Sequence, residues 1–355
     1  MSRNMIKANE YIFEVLANFG QKSKEATPVS DTTKRCIKTN NEEQEWLKEI
    51  KIIKKQLIVP NFQTASFEFN TQKYFVAVGW QSKEIVDSDK VLQFVEPNAG
   101  IVTALLFELK IPLSRKASPL EITNIMVYGS DNEVIKYEFS EIIHFFEPFS
   151  VYRIQEDYPF IENDIDLIRL SGFYTLKNSQ LITLNFSGET LDKFEQIFFE
   201  GAKTIPYENL LFSLFSVSWK YSFLDIYRCI ERLFSISFLE DFHKKLQITD
   251  PLLKFSADVE TYIGWKPKEN EAVNKIIDGS PEEAHCLLQE IKRCIDGTGE
   301  GKCGELVYKI RNSIVHFRPA TQCMDLDDKN WDILIRASLY IVEHWYNQYN
   351  EQLSI

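Results

Sequence analysis

The sequence predicts a multi-domain α+β protein, with a β-rich part ahead of an all-α part. Its 355 residues exceed the roughly 250 to 300 at which one hydrophobic core stops growing. From about residue 62, apolar and polar side chains alternate as in strands, whereas after residue 201 apolar side chains recur at helical spacing. We therefore divide the chain into a helical segment (1–60), a β-rich domain (61–195) and a helical bundle (201–355).

The helical segment contains two candidate helices. Residues 6–19 form a short one, and residues 41–57 form a longer one in which Trp46, Ile50 and Leu57 share one side. The polar stretch between the two helices predicts a loop.

Several runs in the β-rich domain are bounded by turn residues and have the composition or the alternation of strands. These predicted strands cover residues 67–69, 74–80, 101–111, 122–128, 133–139, 166–176 and 181–186. A polar connection over 177–180 separates the last two, which predicts a hairpin. We predict that the domain is a sandwich or a barrel.

The helical bundle contains long patterns of apolar residues at helical spacing. One covers residues 221–246, a second begins at Pro251, and a third covers 281–294. A further helix begins near Gly304, and the last covers 328–353. The apolar side of the last helix consists of Trp331, Leu334, Ile335, Leu339, Val342 and Trp345.

Charge and cysteine content limit the classes of function. The formal net charge is −12 and the sequence pI is near 5.1, which argues against an open nucleic-acid coat protein with a broad basic surface. A small basic cleft on an acidic body remains compatible with these values. The six cysteines form no C-x-x-C pair, and there is neither a leader-like segment nor an apolar run of roughly 20 residues. We expect a soluble, cytoplasmic protein that does not contact membranes.

Two segments of the bundle have the composition of ligand loops but lack the required pattern. Residues 296–304 are glycine-rich, yet Asp296 takes the first glycine position of a phosphate loop and Cys303 replaces its Ser or Thr. Residues 325–328 are rich in aspartate but lack the glycine and distal glutamate of a calcium loop. We interpret the first as a connection between helices and the second as the start of the last helix, and we predict no metal site.

The candidate chemistry lies on the helix that begins near Gly304. We expect Pro319 to end this helix, because proline has no backbone N–H and does not fit a helix interior. At about 100° per residue, Lys309, Asn312 and His316 fall on one side, with Arg311 flanking them. The opposite, apolar side consists of Val307, Ile310, Ile314 and Phe317. Val315 lies among the polar residues, which is explained if a second subunit covers it.

Residues 311–316, Arg-Asn-Ser-Ile-Val-His, resemble the R-x4-6-H motif, with a polar residue after the arginine, of the HEPN superfamily of helical nucleases. The resemblance covers about residues 206–355. It implies a small helical bundle that dimerises so that two copies of the motif face each other. It also implies cleavage of RNA without a metal or another cofactor, often in toxin or antiviral abortive-infection systems.

The residue types suit this chemistry, with Arg311, Asn312 and His316 as catalytic residues. An imidazole has an ordinary pKa of about 6.5, so His316 can exchange a proton near neutral pH. Arg311 stays cationic and can clamp the phosphate as charge builds. Asn312 is a candidate to orient the imidazole or the substrate, and Lys309 and Arg318 are candidates for further phosphate contacts. On a straight helix Arg311 and His316 point about 140° apart, so a two-fold dimer is expected to pair the arginine of one subunit with the histidine of the other.

Glu231 lies in an earlier helix and has two interpretations. It faces the candidate site as a buried polar group of the first bundle helix, or it pairs with Arg228 or with solvent.

Three functions are compatible with the sequence. The first is a toxin or phage-defence endoribonuclease whose β-rich domain responds to a trigger or an inhibitor. The second is a non-catalytic bundle that binds RNA or a nucleotide, or that only dimerises. The third is an interaction protein whose β-rich domain carries the function, with the helices as a dimerisation stalk.

Overall fold

The computed structural model describes residues 3–22, 32–80, 91–127, 134–155, 166–297, 301–316 and 326–354. The chain is a mixed α+β protein that divides into two compact units, Met1–Leu167 and Ile168–Ile355. This division differs from the predicted one. The first 60 residues belong to the same unit as the sheet, and the boundary falls near residue 167 rather than after residue 195.

The first unit contains two sheets. Its strands are β1 (Arg35–Ile37), β2 (Lys51–Val59), β3 (Phe62–Phe69), β4 (Gln72–Val78), β5 (Leu92–Val95), β6 (Ile135–Tyr137) and β7 (Phe149–Ile154). Five of them form an antiparallel sheet in the order β2-β3-β4-β7-β5, while β1 and β6 form a parallel pair. Among the described residues, this single five-stranded sheet, with open edges at β2 and β5, takes the place of the predicted sandwich or barrel.

A tight hairpin joins β3 to β4 and sets their register. Asn70 and Thr71 both have positive φ angles, 48° and 64°, as the two central residues of a type I′ turn require. Phe69 therefore pairs with Gln72, and Phe67 with Tyr74. The strand predicted over 67–69 is confirmed within β3, and the one predicted over 74–80 is confirmed for residues 74–78 of β4.

Five helices of the first unit accompany the sheet: α1 (Met5–Gly20), α2 (Asn41–Glu49), α3 (Ala99–Leu109), α4 (Pro119–Val127) and α5 (Phe139–Ile143). Phe13 of α1 and Leu105 of α3 share one hydrophobic core with Phe67, Val76 and Val151 of the sheet. This burial of apolar surface is the main stabilising contribution to the unit.

Three predicted strands are helices in the structure. The runs 101–111 and 122–128 lie mostly in α3 and α4, and the run 166–176 lies almost entirely in a helix, α6 (Leu167–Lys177). Nearly all of α3 is buried, and a helix buried on all sides shows the same continuous apolar run as a buried strand. The predicted hairpin is therefore also wrong, since the described residues contain no strand over 181–186.

The helix predicted over 41–57 is only half correct. Residues 41–49 form α2, whose N-cap residue Asn40 makes a capping box with Glu43, but residues 51–59 form the edge strand β2. The strand is held by its pairing with β3, a tertiary contact that overrides the helical spacing of its apolar residues.

The second unit is helical, as predicted. After α6 its helices are α7 (Gly188–Glu200), α8 (Tyr207–Phe215), α9 (Trp219–Glu231), α10 (Phe234–Lys245), α11 (Leu252–Asp258), α12 (Glu269–Asp278), α13 (Glu282–Asp296), α14 (Cys303–Val315) and α15 (Asp328–Gln348). The helix predicted over 221–246 is divided between α9 and α10 by a turn at Arg232 and Leu233.

The long helix α15 is the centre of this unit, because it packs against α7, α9 and α13. Asp327 caps it by accepting a hydrogen bond from the backbone N–H of Asn330, which confirms the predicted role of the aspartate run. The predicted apolar side is confirmed as well. All six of its residues are buried, namely Trp331, Leu334, Ile335, Leu339, Val342 and Trp345.

Candidate functional site

The helix that carries the candidate residues, α14, lies against α12 and α13. Val307 and Ile310 are buried, as the sequence predicted, and Ile314 is partly buried. Gly304 allows a close approach to α12, since a Cβ atom there would lie 2.3 Å from Asn274 Oδ1 and 2.7 Å from Asn274 Cα. The buried side of α14 therefore fixes which of its residues face solvent.

The helix ends earlier than predicted. Val315 is its last residue, and His316 has extended backbone angles, φ −104° and ψ 97°. The N–H of His316 still donates a hydrogen bond to the carbonyl of Asn312, at 2.9 Å. The angle of about 140° expected between Arg311 and His316 assumes a straight helix through both residues, so it does not describe the structure.

The structure places the predicted polar residues at the exposed side and end of α14. Lys309 and His316 are exposed, and Asn312 is partly exposed. The side chain of Val315 is also exposed, at 46%. The remaining predicted residue, Arg318, lies outside the described residues, as does Phe317.

Arg311 differs from its neighbours because other side chains enclose it. Its side chain is only 14% exposed. Nη1 donates to Glu269 Oε2 at 3.2 Å and to Asn312 Oδ1 at 3.0 Å. Nη2 lies 3.0 Å from Glu269 Oε1 and 3.4 Å from Glu231 Oε1. Each terminal nitrogen of the guanidinium thus contacts two oxygen atoms of this chain.

Tyr227 completes the surroundings of the guanidinium. The Cζ atom of Arg311 lies 5.7 Å from the centre of the Tyr227 ring, within the range of a cation–π contact. The hydroxyl of Tyr227 donates to Glu269 Oε1 at 3.3 Å. Burial, followed by the negative charge of Glu269, raises the pKa of Tyr227 well above its ordinary value, so the hydroxyl remains a donor at neutral pH.

The charges around Arg311 limit what it can bind. Two carboxylates, Glu231 on α9 and Glu269 on α12, face one guanidinium. An incoming phosphate would meet a local excess of negative charge, and three N–H groups of the guanidinium already donate to Glu269, Asn312 and Glu231. A phosphate that binds through both terminal nitrogens must displace at least one of these acceptors.

Sequence reasoning missed Glu269 and Tyr227. Glu269 precedes Arg311 by 42 residues and follows a loop without a recognisable motif, so no local pattern connects the two. Each of the two interpretations of Glu231 is correct in part: it faces the site, but it is exposed to solvent rather than buried. Arg228 pairs with Asp225 instead, at 2.7 Å.

In the parts of the chain that the structure describes, no group of three or more histidine, cysteine or acidic side chains is arranged to hold a metal ion. No helix of those parts is both long and apolar enough to cross a membrane. Comparison with protein-family models, with curated proteins and with solved structures finds no match to this chain. The resemblance to HEPN nucleases therefore depends on the motif and its helical context.

Proposed function

We propose that the chain is a metal-independent endoribonuclease of the HEPN type that acts at a composite site in a dimer. One observation carries the proposal: Arg311 is held in one orientation by carboxylates from two other helices, close in sequence to an exposed histidine at the end of α14. RNA cleavage through the 2′-OH needs a fixed cation that stabilises the phosphorane and a side chain that can take up and release a proton.

The reaction follows from these residue types. His316 of one subunit takes the proton of the 2′-OH, the 2′ oxygen bonds to phosphorus, and the bond from phosphorus to the 5′ oxygen breaks. His316, now protonated, returns a proton to the 5′ oxygen, which leaves a 2′,3′-cyclic phosphate and a 5′-hydroxyl end. Arg311 stabilises the additional negative charge on the phosphorane. Asn312 supports the guanidinium through its Oδ1 contact, and Lys309 and Arg318 add phosphate contacts.

A dimer supplies what one chain lacks. The proposed site pairs Arg311 of one subunit with His316 of the other, so that each dimer contains two such sites. The apolar side chain of Val315, exposed beside the motif, is a natural contact for a second copy. A two-fold axis near this residue would bring the two motifs together.

An RNA cleavage assay in the presence of EDTA tests the proposal. We expect the full-length protein to cut single-stranded RNA and to leave cyclic phosphate ends. His316→Ala and Arg311→Ala are expected to reduce the rate by at least about 100-fold, the usual contribution of a general acid–base group or an oxyanion donor. His285→Ala, which changes a partly exposed histidine of the same unit, is the control. Equal rates for all four proteins would contradict the proposal.

The cellular role proposed is that of a toxin or antiviral defence effector, with the first unit responding to a trigger or an inhibitor. Expression is then expected to halt growth, and His316→Ala is expected to relieve the arrest. Continued arrest by a stably folded His316→Ala protein would count against a nuclease as the cause.

One observation favours a second candidate, a non-catalytic bundle that binds RNA or a nucleotide or only dimerises. Arg311 is satisfied by protein acceptors, as in ion-pair networks that serve structure alone. RNA that is bound but never cleaved, under any activating condition, would support this alternative.

A further inference from the structure

Among the acceptors of Arg311, Glu231 is held least firmly. Among the described residues it makes one ion pair, at 3.4 Å to Arg311, and its side chain is 46% exposed. Glu269 makes contacts of 3.0 Å and 3.2 Å to two nitrogens, is 29% exposed, and also accepts from Tyr227. A long, exposed ion pair contributes little to stability because solvent screens it, so Glu231 is the acceptor that can leave at the lowest cost.

The departure of Glu231 would change the guanidinium in one specific way. Nη2 would regain a free N–H directed toward the position of the carboxylate, while Glu269 and Asn312 would still hold the group in place. A phosphate oxygen needs a donor of this kind and is itself an anionic acceptor like the carboxylate. The local charge would also become balanced rather than negative.

We propose that Glu231 is a placeholder for a substrate phosphate. Its carboxylate occupies, on Nη2 of Arg311, the position that a phosphate oxygen of RNA takes, and it moves into solvent when RNA binds. Glu269 is the positioning residue that keeps the guanidinium in place during this exchange. This inference depends on the proposed function, because it assumes that Arg311 contacts RNA.

The test measures binding of full-length protein to a fluorescent, single-stranded 2′-O-methyl oligonucleotide, which lacks the attacking hydroxyl. Glu231→Gln is expected to tighten binding by about two- to fivefold, the factor that corresponds to one exposed ion pair. Glu290→Gln is the matched control, since that side chain is also 46% exposed and pairs with a single cation, Lys329, at 3.5 Å. Both substitutions change the net charge equally, so only the difference between them reports on the site.

A double-mutant cycle assigns the effect to Arg311. Both substitutions are also made in the Arg311→Ala protein. In that background, the protein with Glu231→Gln is expected to bind RNA no more tightly than the protein with Glu290→Gln. Arg311→Ala alone is expected to weaken binding. Melting temperatures of all variants confirm that each protein is folded.

The outcomes separate this inference from the proposed function. If Arg311→Ala weakens binding but Glu231→Gln and Glu290→Gln behave alike, the placeholder role is wrong and RNA binding at Arg311 stands. If Glu231→Gln still tightens RNA binding more than Glu290→Gln does in the Arg311→Ala background, the gain comes from the general loss of negative charge. The inference is then also overturned. If Arg311→Ala leaves binding unchanged, or no protein binds, then the proposed site and the placeholder both fail.

Discussion

Arg311 and Glu269 form a two-point ion pair that joins α14 to α12. Nη1 donates to Oε2 at 3.2 Å, and Nη2 lies 3.0 Å from Oε1. A hydrogen bond and a close ion contact to the same carboxylate restrict the position of a guanidinium. The arginine of the candidate motif is therefore a fixed part of the bundle rather than a mobile surface side chain.

Removal of the Glu269 charge should weaken the bundle. Glu269→Gln retains the size of the side chain but leaves Arg311 with a weaker partner, so we expect a loss of about 1 kcal/mol in the free energy of unfolding, near the upper end for partly exposed pairs. Urea unfolding monitored by circular dichroism measures this loss.

Glu271→Gln is the control for that measurement. Glu271 lies on the same helix, is 55% exposed and pairs with Lys268 at 3.0 Å, so its substitution should change stability by less than about 0.5 kcal/mol. Equal losses in the free energy of unfolding for the two variants would mean that the Glu269–Arg311 pair stabilises the protein no more than an exposed ion pair does.

Complementation should reveal whether the site is shared between subunits. Arg311→Ala and His316→Ala proteins are each expected to be inactive on RNA. Mixed dimers isolated through both tags should regain up to half of the wild-type activity, because one of the two sites in each mixed dimer has both residues. The measurement is the rate of RNA cleavage after co-expression of two differently tagged chains. Mixed dimers without activity would indicate that the arginine and histidine act within one chain.

The close approach of α14 to α12 predicts a strong effect at Gly304. A methyl group there would overlap the Cα atom of Asn274, at 2.7 Å, and backbone cannot move aside as a flexible side chain can. We expect Gly304→Ala to destabilise the protein by about 1 to 3 kcal/mol, the usual cost of overpacking. Thermal unfolding checks the size of the loss.

Gly188→Ala is the matched control, because nothing lies within 4 Å of an added Cβ at this position. We expect its stability to equal or slightly exceed that of the wild type, since alanine has less freedom in the unfolded chain. A Gly304→Ala protein as stable as Gly188→Ala would show that α12 and α14 are not tightly packed.

A buried thiol predicts a loss of stability at alkaline pH. Burial raises the pKa of Cys229 from an ordinary value of 9.0 to about 12. Between these values the unfolded state releases its proton and the folded state does not, so the free energy of unfolding falls as pH rises. The contribution of this group should fall by about 1 kcal/mol between pH 8 and pH 10.

Urea unfolding of wild-type and Cys229→Ala protein at both pH values measures this contribution. The fall in the free energy of unfolding from pH 8 to pH 10 should be smaller in Cys229→Ala by about 1 kcal/mol. Any loss of stability that the substitution itself causes is present at both pH values and cancels in this difference. Cys294→Ala, which alters an exposed cysteine, should retain the wild-type change. Identical pH dependence in all three proteins would contradict the assignment.

Local sequence patterns were sufficient to predict many helices of the second unit and their buried sides. The apolar side of α15, from Trp331 to Trp345, is buried as its spacing predicts, because a helix that keeps some polar, accessible positions shows its apolar side in every turn. Local patterns were insufficient for α3, since Ile101 to Leu106 are all buried and a fully buried helix has no polar side to reveal its period.

At the candidate site, too, some features followed from sequence spacing and others only from the packing of helices. Spacing along one helix was enough to place Lys309 and Asn312 on its accessible side, because neighbouring residues of a helix have a fixed angular relation. Spacing gave no indication of Glu269, which precedes Arg311 by 42 residues, and left the role of Glu231, which precedes it by 80, between two interpretations. Those partners approach only when α9, α12 and α14 pack together, and the contacts between helices depend on the whole core rather than on any one segment. The motif thus indicated a candidate chemistry, whereas packing determined that its arginine is already paired with two carboxylates.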